Sequence, residues 1–163
     1  MSENAKKVFD KLDELKIEYS LVEHPPVYTC EELENYITDL SGVHCKNLFL
    51  RNKKGNRHFL LVTDESRQIN IKEFGKKIEV SNLSFASGER LMKYLGVETG
   101  AVSVFGTLND LEKQVEVIID QDILKESSIN CHPNDNTKTI SFSSQDLKKY
   151  LDQCEQTVTY IKL

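Results

Sequence analysis

Apolar residues recur along the chain at two spacings, one helical and one alternating, and these divide it into helices and strands. Ala5, Val8, Phe9, Leu12 and Leu15 fall on one stripe and predict a helix over residues 3–15. Ile17, Tyr19 and Leu21 alternate with polar neighbours and predict a strand over 17–22, stopped by His24-Pro25-Pro26. Thr29 and Glu32 have the spacing of a capping box before a helix over about 30–39. Two apolar runs, 45–51 and 58–63, flank Asn52-Lys53-Lys54-Gly55-Asn56 and predict a hairpin. Asn70 and Glu73 repeat the cap spacing before a short helix over 71–77. A short strand is expected at 83–86. Ser87 then caps a helix with Leu91, Met92 and Leu95 facing inward and Gly96 as its left-handed end. Further strands are expected at 115–119, 137–142 and 158–161. Ser143 and Asp146 begin a last helix with Leu147, Tyr150, Leu151 and Cys154 on one face. Strands often follow strands directly, so the expected fold is α+β: a mixed, largely antiparallel central sheet of about seven strands surrounded by helices. Nothing in the composition marks a linker or repeat, and residues 1–163 read as a single domain.

Composition narrows the function classes. Hydrophobic residues make up 39% and charged residues 29%, as in an ordinary soluble protein. No apolar run approaches the roughly 18 residues of a membrane span. The charged opening MSENAKKVFDKLDELK lacks an export signal's apolar core, so a cytoplasmic protein with no membrane partner is expected. Cys30, Cys45, Cys131 and Cys154 form no CxxC pair, which points to reduced thiols and no metal site. A net charge of −5 argues against broad binding to nucleic-acid backbone. Two local basic clusters remain, Arg51, Lys53, Lys54 and Arg57, then Lys72, Lys76 and Lys77. They fit either solvated surface or a few phosphate contacts to one end of an RNA.

The chain has no GxSxG elbow, phosphate-binding glycine loop or HExxH. Three segments nonetheless look unlike pure scaffold. In Cys45-Lys46-Asn47-Leu48-Phe49-Leu50 a lysine and an asparagine open an apolar strand, where the lysine either snorkels to solvent or serves a site. In Gly100-Ala101-Val102-Ser103-Val104-Phe105-Gly106 small residues between glycines suit either a tight turn or close approach of a ligand to backbone. His132-Pro133-Asn134-Asp135-Asn136-Thr137 is a polar turn in which the histidine either bonds backbone or does chemistry. Cys45 beside Lys46 and Cys131 beside His132 leave a cysteine–histidine hydrolase open as well.

Together, and in this order, these segments resemble the YbaK/ProX-type prolyl-tRNA editing domains, most closely the free-standing alanyl-tRNA(Pro) deacylases. Val22-Glu23-His24-Pro25-Pro26-Val27-Tyr28-Thr29 is similar to the family's opening, and the resemblance covers nearly the whole chain. It implies a trans-editing hydrolase that cleaves the ester of mischarged tRNA(Pro), an aminoacyl-tRNA deacylase without metal or cofactor. The acceptor end of that tRNA is the implied substrate, with prolyl-tRNA synthetase as a transient partner. Alternatives within the resemblance are a cysteinyl-tRNA(Pro) deacylase and a non-catalytic tRNA-binding relative.

The resemblance puts the residue on which activity most depends at Lys46, with Asn47 beside it in the substrate site and the site histidine at His132. The glycine loop falls on Gly100, Ala101, Val102 and Ser103, with Val104 where the family has proline. Val27 and Leu48, with Val102, are expected to wall a pocket for a small amino acid. Such a pocket has a purpose, because one methylene lets a synthetase site discriminate by only about 1–3 kcal/mol.

Overall fold

The computed structural model describes residues 2–28, 30–36 and 42–163. Helix α1 (Glu3–Glu14) is capped by Ser2, whose side chain accepts from the Ala5 N–H, and buries Ala5, Val8, Phe9 and Leu12. It ends in a turn in which Lys16 adopts φ 59° and the Ile17 N–H returns to the Leu12 carbonyl. Ile17 is thereby spent as a core residue, so strand β1 (Ser20–Glu23) starts three residues later than its alternation predicts.

Helix α2 (Cys30–Glu34) is short. The capping box expected at Thr29 and the far end of that helix lie outside the described residues; Glu32 accepts from the Tyr28 N–H at 3.0 Å. Strands β2 (Val43–Arg51) and β3 (His58–Asp64) form the expected hairpin, with Cys45 opposite Asp64 and Arg51 opposite His58. Helix α3 (Ile71–Lys77) begins at Asn70, which accepts from the Glu73 N–H. The two-residue strand β4 (Ser84–Phe85) pairs with β2. Helix α4 (Gly88–Leu95) runs from the Ser87 cap to Gly96 at φ 64°. Leu91 and Leu95 are buried, but Met92 is 47% exposed, at the polar edge of the stripe rather than inside it.

Residues 101–103 enter no strand, and Val104–Asn109 forms a 3-10 helix. Strand β5 (Val115–Asp120) follows, then β6 (Ser128–Cys131), β7 (Lys138–Ser143), helix α5 (Ser144–Gln153) and β8 (Val158–Ile161). Strand β6 is the element the apolar pattern did not show. Its four residues are too few and too polar to alternate legibly.

Among the described residues the sheet has eight strands in the order β1-β7-β6-β2-β3-β5-β8, with β4 on β2. The β1–β7, β6–β7, β2–β3 and β2–β4 pairs are antiparallel; β2–β6, β3–β5 and β5–β8 are parallel. Because side chains alternate across a strand, the hairpin and β5 feed two cores. Phe49, Leu60, Val62, Val117 and Ile119 face the main core with α1, α4 and α5, whereas Leu50, Phe59, Leu61 and Ile118 face Phe74 and Val80 around α3.

The weak point of this sheet is its middle. Among the described residues, strands β2 and β6 pair through Val43 with Ile129 and His44 with Asn130. Past that, β2 turns to its hairpin partner and β6 runs on toward His132, so the two strands part.

Candidate functional site

A cavity of about 300 Å³ lies where β2 and β6 separate. Among the described residues its walls are Val27, Tyr28 and Leu33; His44, Cys45 and Asn47; Glu65; Thr99, Gly100 and Val102; and Asn130 to His132 with Thr139. Residues just past the last paired positions of parallel strands are where α/β sheets commonly hold ligands, since backbone and side chains diverge there.

Two histidines stand side by side at the β6 end, their rings 6.0 Å apart. His132 Nδ1 lies 2.7 Å from the Lys138 carbonyl oxygen. A carbonyl only accepts, so Nδ1 carries the proton and a neutral His132 has its lone pair on Nε2. Burial lowers the His132 pKa, helped by His24 and His44 and opposed by the Lys138 hydrogen bond and Asp135, so the neutral form is favoured. His24 Nδ1 donates to the Pro25 carbonyl at 2.9 Å, and its Nε2 lies 2.9 Å from Thr139 Oγ1.

The turn after His132 is a clamp. Asn134, at φ 58°, accepts from Ser103 Oγ at 3.0 Å and donates to the Phe105 carbonyl at 3.1 Å. The Asn136 side chain donates to the Val27 carbonyl, and the Val27 N–H donates to the Asn136 carbonyl. The histidine turn thus holds both the glycine loop and the proline-rich opening segment. Asp135 anchors it. Burial would raise this carboxyl, but hydrogen bonds from Thr137 and Ser2 and the Lys138 ammonium bring it down to about 2.

Of the residues expected from the sequence, Val27, Asn47, Gly100, Val102 and His132 meet at this cavity. Gly100 has φ 95°, and a Cβ there would sit 3.0 Å from the Tyr28 ring, so glycine is required both by backbone and by space. Three expected residues lie elsewhere. Leu48 is one position out of phase with Asn47 and packs in the α3 core. Ala101 is buried in the main core, and its N–H is taken by the Glu98 carbonyl. Ser103 is fully buried, accepting from the Phe105 N–H to cap the 3-10 helix. Lys46 stands beside the cavity rather than in its wall. It shares a strand face with His44, and its ammonium donates to the Arg67 carbonyl at 2.8 Å.

That contact belongs to a braced turn. Asp64 accepts from Ser66, and the Arg67 guanidinium reaches Asp120 at 3.3 Å and Asp122 at 3.0 Å. Between them, Glu65 is aligned opposite His44 by its N–H to the His44 carbonyl. Neither Glu65 nor His44 stands out in the sequence: Asp64-Glu65-Ser66 reads as a polar turn and His44 as a strand edge. In both, and in Asn47, a buried side-chain atom has no hydrogen-bond partner among the described residues, namely Glu65 Oε2, His44 Nδ1 and Asn47 Oδ1.

The two cavity thiols are poor nucleophiles. Burial, with some repulsion from Asp64, pushes Cys45 up to about 12, and burial raises Cys131 well above the ordinary thiol value. Among the described residues no three His, Cys, Asp or Glu side chains are grouped to hold a metal ion. Nor is any described helix long and apolar enough to cross a membrane. Several of the basic residues are already engaged: Arg57 pairs with Glu116 at 2.8 Å, Lys76 with Glu73 at 3.3 Å, and Lys77 donates to the Lys162 carbonyl.

The chain is similar in sequence and fold to known proteins. The family described as "Aminoacyl-tRNA editing domain" matches residues 24–150, from the first site histidine to the last helix. The "Prolyl-tRNA editing protein ProX" of Acetoanaerobium sticklandii is 46% identical over 156 residues, covering 96% of this chain and 95% of that protein. The "Prolyl-tRNA synthetase associated domain-containing protein 1" of Danio rerio is 32% identical over 154 residues, 93% of this chain and 83% of its own length. A solved structure described as a candidate trans-editing enzyme for prolyl tRNA synthetase shares the fold, with a TM-score of 0.73 at 17% identity over 100% of this chain and 99% of its own. This chain belongs to the aminoacyl-tRNA editing domain family, a family of aminoacyl-tRNA deacylases.

Proposed function

We propose that this protein hydrolyses the ester of mischarged tRNA(Pro) in trans, with alanyl-tRNA(Pro) as its main substrate. The observation that carries the reading is His132, half-buried and held by the Lys138 carbonyl in the tautomer that leaves Nε2 unprotonated when the ring is neutral, at a small cavity it shares with Asn47 and Gly100. The family membership and the similarity to a prolyl-tRNA editing protein support the substrate class.

In this reading the terminal adenosine enters between the strands, and Asn47 and backbone at Gly100 and Val102 face the ester. Donors set where the carbonyl becomes an oxyanion typically contribute about 2.7–4 kcal/mol each. His132 Nε2 takes a hydrogen bond from the attacking water and draws its proton as the oxygen bonds to the carbonyl carbon. Collapse of the tetrahedral species breaks the ester bond, and the ribose oxygen leaves with the proton that His132 took from the water, giving free alanine and tRNA. A volume of about 300 Å³ is at the small end of ligand sites, which favours a short side chain.

Lys46 keeps the leading role that the resemblance gives it, through two effects. It holds the turn that carries Glu65, and its flexible stem lets the ammonium exchange the Arg67 carbonyl for a substrate oxygen. Residues 1–163 act as one editing domain on the acceptor end, with prolyl-tRNA synthetase as a transient partner. The test is amino-acid release from alanyl-, cysteinyl- and prolyl-tRNA(Pro) by the wild type and Lys46→Ala. Alanine released fastest, and lost in the variant, is the expected outcome. Unchanged turnover by the variant removes Lys46 from the mechanism, and no release from any tRNA overturns the function.

A further inference from the structure

Three buried side-chain atoms without a partner among the described residues can all accept a hydrogen bond. Glu65 Oε2 and Asn47 Oδ1 only accept hydrogen bonds, and His44 Nδ1 accepts when the ring proton is on Nε2. All three residues line the one cavity. Among the described residues no Lys or Arg side chain pairs with Glu65. Lys46, two positions along β2 from His44, donates to the Arg67 carbonyl.

A buried carboxylate oxygen with no donor is costly, because desolvation is not offset. A ligand that brings donors and positive charge relieves that cost. The turn carrying Glu65 is braced by Arg67 on Asp120 and Asp122, which fixes the backbone from which the half-buried Glu65 side chain reaches the cavity. The aminoacyl ester offers a matching group. Its α-ammonium has three N–H donors and a positive charge, whereas a ribose hydroxyl offers one donor and none of the charge.

We propose that Glu65, with Asn47 and His44, binds the α-ammonium of the esterified amino acid, so that the enzyme selects esters with an unblocked amine. This deepens the editing function and rests on it. Glu65 is then a specificity residue that touches substrate. It orients the ester by the end opposite the ribose, leaving the carbonyl carbon toward His132. Peptidyl and N-acylated esters are refused, because they lack the charge and two of the three donors.

The experiment compares alanyl-tRNA(Pro) with lactyl-tRNA(Pro), in which a hydroxyl of nearly equal size replaces the amine. The proteins are the wild type and Glu65→Gln, and rates are divided by the spontaneous hydrolysis of each ester. The wild type is expected to favour the alanyl ester about tenfold to a hundredfold in kcat/KM, the range of a charge-assisted hydrogen bond. Glu65→Gln should lose most of that factor on the alanyl ester and little on the lactyl ester, so its lactyl activity also reports that it is folded. Equal use of both esters by the wild type overturns the ammonium site while leaving the editing function intact. So does an equal loss on both in Glu65→Gln. A wild type idle on both esters overturns the editing function and this site together.

Discussion

The Lys138 carbonyl fixes the tautomer of His132: the 2.7 Å contact places the ring proton on Nδ1 and leaves Nε2 as the lone-pair nitrogen of the neutral ring. Burial, the first cause of its lowered pKa, keeps that ring uncharged as the solution acidifies. The acid limb of kcat/KM for deacylation should therefore fall below the ordinary histidine value of about 6.5. A pH–rate profile of the wild type checks this, and a limb at or above that value contradicts it. His132→Gln should lower kcat by about 100-fold or more, in the usual range for a lost proton acceptor.

Gly100 is constrained twice, by φ 95° and by the Tyr28 ring 3.0 Å from where a Cβ would sit. Gly100→Ala should destabilise the protein by about 1–3 kcal/mol, the usual cost of forcing a side chain into such a conformation. Its turnover should drop by more than that stability loss explains, because the displaced backbone is cavity wall. Thermal melts and alanyl-tRNA(Pro) turnover on the same preparation separate the two effects.

The thiols predict an absence of effect. With Cys45 pushed up to about 12 and Cys131 raised by burial, neither supplies a thiolate near neutral pH. Cys45→Ala with Cys131→Ala should retain most of the deacylation, and near-complete loss in a folded double variant would restore the thiol mechanism.

His58 provides a stability prediction far from the chemistry. It is buried between Tyr94 and Phe49, with ring distances of 4.0 and 5.5 Å, and its Nε2 accepts from Arg90 at 3.1 Å. Burial, then the charges of Arg90, Arg51 and Lys93, push it down to about 4. The unfolded chain takes up this proton near pH 6.5 and the folded one only near 4, so the contribution is complete above 6.5 and lost as pH falls between them. It is worth about 3 kcal/mol at most. Urea midpoints at pH 7, 5 and 4 should decline less steeply in His58→Phe than in the wild type.

Most of the scaffold was legible in the sequence because it rests on local rules. The Asn70, Ser87 and Ser143 caps, the left-handed Gly96 and the continuous apolar hairpin are each set by neighbours a few residues away. Strand β6 was not legible. Its place depends on β7 and on two pairs with β2, and Asn130 in its centre breaks the apolar pattern. The same limit shaped the site. His132, Asn47 and Gly100 were visible through motifs, but a motif read as a line ignores alternation, which sends Leu48 into the α3 core and Lys46 onto the face opposite Asn47. Glu65 and His44 reach the cavity only through hairpin register, which no short window contains.

The two-pair junction between β2 and β6 also bears on how preference for an amino acid can change. The long ladders on either side, β2 with β3 and β6 with β7, keep each half of the sheet rigid. The seam between them sets how far the cavity walls stand apart, and Val43, Ile129 and Asn130 are the side chains on it. Drift from one misattached residue to a bulkier one would then require no new catalytic parts, only a different gap.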